Sequence, residues 1–296
     1  MRGPSGGRTG NRPLAGIALM IGAMAVVPGA DVFAKLLSET LPIVQIVWAR
    51  FFVHTLCMVP VMLRRRHRRA FWPARPGLQV VRSLLLVAAT FLFYGALSSM
   101  PIVDTLALFF ISPLLSTLMS PLVLGERVGL RRRVAAGVGF LGVLIMLRPG
   151  FEAVEPAALM ALGCGFAHSL YLLLTRRLAG TASAEVTLAW TGLAGALVLT
   201  VAVPATWVTP DAVGWLWMIG VGVAAVAGHF LLIRACDHAE ASLLAPFGYA
   251  EIVTATIFGF LVFGDFPDPW TWTGIAVICA SGIYIALRER RVDLSG

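Results

Sequence analysis

The sequence predicts an all-α integral membrane protein: ten transmembrane helices in two inverted five-helix repeats, with the N and C termini in the cytoplasm. Three observations carry this prediction. Apolar runs long enough to cross a bilayer recur ten times along the 296 residues. The basic residues fall almost entirely on one side of those runs. The end of the first half of the chain recurs in outline at the end of the second.

Composition sets the class. Apolar residues make up 58% of the chain and charged residues only 13%, with a mean hydropathy of +0.86. A soluble domain is nearer a quarter charged. The net charge of +8 would suggest nucleic acid in a soluble protein. Here the arginines cluster between apolar runs, which is the pattern of membrane orientation and of no nucleic-acid partner. Cys57, Cys164, Cys236 and Cys279 are scattered through apolar segments without metal-ligand spacing and read as small buried hydrophobes.

The elements follow from span length. A helix that crosses a bilayer needs about 20 mostly apolar residues. The runs at 14–36, 42–62, 77–98, 101–123, 132–148, 156–175, 184–204, 211–234, 241–263 and 270–288 fit. Ahead of them, "MRGPSGGRTGNRP" at 1–13 is polar, basic and broken by Gly and Pro, and reads as a disordered cytoplasmic tail. "VVPGAD" is a poor cleavage site, so the first run is read as an uncleaved span. Residues 289–296 form a second cytoplasmic tail. The chain is therefore placed in the inner (plasma) membrane, with the lipid bilayer as its first partner. The sequence leaves monomer and homodimer both open.

Orientation comes from the basic residues. With the N terminus inside, 19 of the 23 Lys and Arg fall in cytoplasmic tails and loops, Arg148 alone falls outside, and Lys35, Arg50 and Arg82 fall within spans. The duplication pairs "LVLGERVGLRRRVAAGVGFLGVLIMLRPG" at 122–150 with "LVFGDFPDPWTWTGIAVICASGIYIALRE" at 261–289. Gly125-Glu126 aligns with Gly264-Asp265. Five spans per half is an odd number, so the halves 14–150 and 151–288 must lie upside down relative to each other. Inverted repeats of this kind build transporters whose substrate site lies near the midplane, where the halves meet.

The chain resembles the drug/metabolite transporter superfamily in its ten-helix EamA-type form. The resemblance rests on "LGE" at 124–126, "GFLGVLIMLRPG" at 139–150, "AEASLLAPFGYAE" at 239–251, "VFGDFPD" at 262–268 and "SGIYIAL" at 281–287. "DVFAKLL" at 31–37 and "QIVWARFF" at 45–52 look like the first two helices of the branch that holds riboflavin and S-adenosylmethionine importers. Other members export amino acids. The resemblance implies two five-helix bundles around a central cavity lined chiefly by spans 1, 3, 4, 6, 8 and 9. Its motifs are packing and helix-end signals, which say little about substrate.

Polar groups within the spans are the candidate site, because each must be paired or must face water. Glu251 in "FGYAEIVTATIFGFLVFG" is the leading one: about ten residues deep, with Tyr249 beside it, and aligned with Ser112 of the first half. It is expected to face the cavity or an ion-pair partner and not lipid. Asp31 and Lys35 lie one turn apart, and Arg50 follows on the adjacent span. Two readings stay open: a self-neutralising Asp31–Lys35–Arg50 cluster, or Asp31 or Lys35 gripping a charged group of the substrate. His168 and Tyr171 share a face of the sixth span near the midplane. Tyr94 and Phe110 are aromatic candidates on cavity spans, suited to a flat ring. Arg82 is expected to snorkel to the headgroups, Asp104 to cap the fourth span, and Glu126 and Asp265 to organise loop packing. Pro28, Pro113 and Pro246 are candidate hinges. Six tryptophans near span ends, Trp72, Trp207, Trp215, Trp217, Trp270 and Trp272, read as the interfacial belt.

No enzyme signature is present: no glycine-rich loop before Lys-Ser/Thr, no GxSxG elbow, no His-x-x-x-His. The sequence calls for no cofactor and no metal. The reading is a secondary transporter that moves a small organic metabolite (an amino acid, a vitamin or a nucleoside-like compound) by alternating access. If flux is coupled, protons are the natural ion, because Glu251, Asp31 and His168 can titrate. The competing readings are a facilitative exporter of amino acids or drugs without ion coupling and, as a minor one, a membrane-embedded enzyme.

Overall fold

Proline and short polar side chains set where the helices begin. Pro76 and Pro156 stand at the first positions of their helices, where a missing N–H costs nothing. Asp211 caps the next long helix by accepting from Gly214 N at 2.6 Å, and Asp268 caps the last by accepting from Thr271 N at 2.6 Å. The computed structural model describes residues 13–63, 72–125, 128–148, 155–239 and 241–293. Most of the expected N-terminal tail, the arginine-rich stretch 64–71, Glu126 and residues 294–296 lie outside the described residues.

Among the described residues the regular elements are all helical. They are α1 (Pro13–Ser38), α2 (Ile43–Leu63), α3 (Pro76–Leu97), α4 (Ile102–Phe109), α5 (Ser112–Leu124) and α6 (Leu130–Leu147). After them come α7 (Pro156–Arg177), α8 (Ala184–Ala202), α9 (Ala212–His238), α10 (Ala241–Gly248), α11 (Ala250–Phe258) and α12 (Pro269–Asp293). A 3-10 turn, Val203–Thr206, extends α8, and a π-turn, Gly259–Phe263, extends α11. Nine helical stretches among the described residues are long and apolar enough to span a membrane, with α4 and α5 counted together. α6 differs from these because its first turn holds Arg131, Arg132 and Arg133.

Two spans are interrupted. α4 stops at Phe109 and α5 starts at Ser112, because Pro113 offers no N–H and its ring crowds the preceding turn. α10 contains Pro246 and stops at Gly248, and α11 starts at Ala250. Pro28, by contrast, lies inside an unbroken α1. Gly125 ends α5 with φ 72°, and Gly264 ends the π-turn with φ 73°. Both are left-handed positions that favour glycine.

α1 lies along α9, α3 along α7, α2 along α8 and α6 along α12. α1 also packs on α10 and α11, and α7 on α4 and α5. Lipid removes the hydrophobic drive between helices, so close backbone approach has to supply the contact. Gly142 shows this: a Cβ there would lie 2.8 Å from Gly274 O, so α6 and α12 cross with their backbones touching. The outward faces are apolar, with Leu122, Leu197, Val201 and Leu261 exposed. The central core joins Leu37, Phe51, Tyr94, Leu106, Ile252 and Ala255, from α1, α2, α3, α4 and α11.

Candidate functional site

Arg50, on α2, lies among the polar groups of the spans. Its Nη1 donates to the Tyr94 hydroxyl at 3.0 Å, and its guanidinium carbon lies 5.6 Å from the centre of the Tyr94 ring. Tyr94 is fully buried on α3, so it fixes the guanidinium from below. Asp31, Cys164, His168, His229 and Glu251 all lie within electrostatic range of Arg50. Asp31 and Glu251 also act on each other, across the packed helices α1 and α11.

Neither carboxyl group is paired. Asp31 is 4% exposed, yet among the described residues it has no hydrogen bond or ion pair. Glu251, half-buried in the first turn of α11, has none either. α11 is nevertheless pinned to α1 close by, where Thr254 Oγ1 donates to Met24 O at 2.6 Å.

Aromatic rings border the charges. The ring centres of Phe110 and Tyr249 are 5.1 Å apart, those of Phe109 and Phe110 5.8 Å, and those of Phe109 and His168 4.9 Å. His168 Nδ1 shares a hydrogen bond with Ser112 Oγ at 3.0 Å. The Tyr249 hydroxyl packs against Gly282 of α12. The structure thus places Tyr94 on Arg50 and Asp31, His168 and Glu251 within its electrostatic range, while Tyr249 and Phe110 reach this group through the ring series Tyr249, Phe110, Phe109, His168. Tyr171 stacks beside His168 at 5.5 Å, but its hydroxyl turns away to accept from Arg82 Nη2 at 3.0 Å.

Lys35 goes elsewhere. It does not join Asp31 and Arg50 in the cluster that their spacing suggests, because its long stem carries the ammonium to the end of α1. There Nζ donates to Asp265 Oδ2 at 3.0 Å and to Met100 O at 2.9 Å, and it lies 4.8 Å from the centre of the Phe263 ring. One ammonium therefore ties α1 to the α3–α4 link and to the turn after α11. At the same end, Arg148 pairs with Asp268. Asp104 stands in the first turn of α4, where a carboxylate is favourable, although no side-chain cap hydrogen bond forms; its Oδ1 is buried without a partner, beside a pocket of about 240 Å³ that Arg148, Glu155, Asp268 and Thr271 also line.

Arg82 overturns the snorkelling expectation. It is 1% exposed, and it donates to Thr175 Oγ1 at 2.7 Å, Gln79 Oε1 at 3.1 Å, Thr191 Oγ1 at 3.1 Å and the Tyr171 hydroxyl at 3.0 Å. Hydroxyls on α7 and α8 provide inside the bundle what the headgroups would have provided outside it. Two residues of the site escaped the sequence reading. Spacing marks Arg50 only as part of a charge cluster, although an intramembrane arginine is itself a signal for a site. Alignment of the halves marks Ser112 as the counterpart of Glu251, and only the fold makes it the partner of His168.

The chain is similar to several proteins of known role. A riboflavin transporter of Vibrio cholerae is 29% identical over 287 residues, covering 95% of this chain and 96% of that one. An S-adenosylmethionine uptake transporter of Rickettsia prowazekii is 24% identical over 261 residues, 88% of each chain. A riboflavin transporter of Rhizobium johnstonii is 31% identical over 228 residues, 75% of this chain and 73% of that one. A crystal structure sharing 20% sequence identity superposes with a TM-score of 0.64 over 93% of this chain and 98% of the other, which shows the fold. This is a multi-pass protein of the inner membrane. The model of the EamA-like transporter family matches residues 14–148 and again 155–287, and the chain belongs to that family.

Proposed function

We propose that the protein is a secondary transporter that takes up a small, ring-bearing organic metabolite by alternating access, with the solute lodged among Asp31, Arg50, Tyr94, Phe110, His168, Tyr249 and Glu251. One observation carries the reading: Asp31, Arg50 and Glu251 sit together within the spans without pairing one another. Each charged residue at the centre of a span costs about 2.5–3.5 kcal/mol on insertion scales. A structural role would recover that cost through ion pairs; a binding site leaves it for the solute to offset.

The proposed frame is ten spans in two inverted repeats, 14–150 and 151–288, with cytoplasmic termini. The two successive family matches support it. So does the packing: exchanging each helix of the first half for its counterpart in the second turns α1 on α9 into α7 on α3, and leaves α2 on α8 and α6 on α12 unchanged. Gly125 and Gly264 share a left-handed cap, each donating its N–H four residues back, at 3.1 and 3.0 Å. This orientation puts the Lys35–Asp265 tie on the outer face, where it holds the two halves together. Uptake is the favoured direction because the Rickettsia relative carries that name.

Reconstituted protein in sealed liposomes tests the proposal. Radiolabelled S-adenosylmethionine and riboflavin are supplied outside, with and without a pH gradient. Saturable accumulation of either above empty liposomes is the expected result. Under proton coupling, the gradient raises the rate and Glu251→Gln abolishes that response while leaving exchange intact. Solutes entering no faster than into empty liposomes, or crossing outward only, would contradict the uptake reading.

A further inference from the structure

A cavity of about 360 Å³ lies between α2, α8 and α9, and none of Asp31, Arg50, Tyr94, His168 or Glu251 lines it. Its walls come from both segments that match the family: α2 from 14–148, and α8 and α9 from 155–287. On α9, Val223 is 48% exposed and Phe230 61% exposed. The wall of the cavity therefore continues onto the outward, lipid-facing surface of a span.

Two imidazoles stand in this apolar space. His54, near the middle of α2, is 9% exposed, and its Nε2 is buried with no hydrogen-bond partner. Gly192 lets α8 lie against the ring, since a Cβ there would be 2.9 Å from His54 Cδ2, so the ring is held where it is. His229 Nδ1 meets Ala225 O at 2.8 Å. A carbonyl only accepts, so Nδ1 carries the hydrogen and the neutral ring presents Nε2 as an acceptor. The other eight lining residues are hydrophobes, with Cys57 and Met58 among them. Among the described residues no three metal-ligating groups converge, so Cys57 and the two histidines do not make a metal site.

We propose that this cavity is a lateral binding site for an apolar molecule that carries a hydroxyl group and enters from the bilayer. The apolar walls call for a hydrocarbon or aromatic body. Within a span there is little water to meet a polar atom, so His54 Nε2 favours a ligand that can. A hydroxyl both donates and accepts, and it serves that nitrogen in either tautomer. It can also donate to His229 Nε2, which an ether or a ketone cannot. A plain hydrocarbon leaves His54 unmet, and a charged group would have to shed its hydration to reach mid-span. The occupant touches α2 on one side and α8 and α9 on the other, so it contacts both halves of the chain at once.

Photolabelling tests the assignment on the full-length protein in lipid nanodiscs. The probe is an alkylphenol with a diazirine on its chain, and labelled peptides are mapped by mass spectrometry. Label is expected on α2, α8 and α9 at the cavity wall. At equal bilayer concentration, 4-butylphenol should displace it about tenfold better than 4-butylanisole, which cannot donate, or butylbenzene, which has no hydrogen-bonding group. His54→Phe keeps a ring and removes Nε2; it should reduce that advantage at least about threefold. Ala227→Phe fills the cavity without changing either imidazole and should abolish the label. If His54→Phe fails to fold, the wild-type ranking decides. Equal displacement by all three competitors overturns the proposal, because the cavity would then be only an apolar trap. Label confined to other helices overturns it too, as does an undiminished advantage of the phenol in His54→Phe.

Discussion

The rings of Phe110 and Tyr249 meet at 5.1 Å, and each residue stands at the point where its own membrane helix is interrupted. The two positions lie at the same sequence distance before Gly125 and Gly264, the left-handed glycines that end those spans. Corresponding residues of the two halves thus touch at the middle of the molecule, next to Glu251 and Ser112. On the proposed alternating-access reading, this contact is one that changes as one half moves against the other.

Gly282 sets the position of that contact. A Cβ at Gly282 would collide with the Tyr249 hydroxyl and lie 3.1 Å from its Cζ. Gly282→Ala should therefore displace the Tyr249 ring and cost about 1–3 kcal/mol of stability, with a matching loss of flux. Tyr249→Phe removes the colliding atom. Adding it to Gly282→Ala should restore most of the stability, as read by thermal unfolding in detergent. A double variant no better than Gly282→Ala would show that the ring is not held there.

The Lys35–Asp265 tie should be a moving part. Its side chains are 16% and 32% exposed, so as a static pair it is worth about 1 kcal/mol or less. Its effect on opening should be larger than its effect on stability. Cysteines at 35 and 265, joined by a short bifunctional thiol reagent in a background free of native cysteines, should reduce flux to background. A reducible linker should return it on cleavage. Unchanged flux in the cross-linked protein would mean that the two halves never separate at this end.

Arg82 should be structural. Losing its charge-assisted hydrogen bonds to Thr175, Tyr171 and Thr191 should destabilise the Arg82→Ala protein by about 4.5 kcal/mol, taking roughly 1.5 kcal/mol for each of the three. Arg82→Lys should recover only part, because a single ammonium cannot reach hydroxyls on two helices together. Unfolding of Arg82→Ala within 0.5 kcal/mol of the parent would instead fit a side chain that lies at the headgroups.

What the sequence disclosed divides along a physical line. Span positions were legible, because hydropathy and length are local: the runs read at 77–98 and 156–175 appear as Pro76–Leu97 and Pro156–Arg177. The helix ends at Gly125 and Gly264 were legible from their shared motif. Side-chain direction was not. These helices are apolar around most of their circumference, so no stripe marks the inward face. Arg82 therefore read as a residue reaching for the membrane surface, although hydroxyls from α7 and α8 surround it. Lys35 read as a neighbour of Asp31, because spacing along one helix says nothing of an aspartate 230 residues away. Asp31, Arg50 and Glu251 could be named one by one, but that they lie within electrostatic range of one another without pairing depends on how α1, α2 and α11 pack.

Access to position 251 from each side of the membrane distinguishes a transport site at Glu251 from a structural residue. A single cysteine at position 251, in a background free of native cysteines, is treated with a membrane-impermeant thiol reagent in right-side-out and inverted vesicles. With the Lys35–Asp265 tie intact, labelling is expected from the cytoplasmic side. When Asp265→Lys breaks the tie, labelling should shift to the outer side. Position 251 unreactive from both sides in both proteins would contradict a transport site at Glu251.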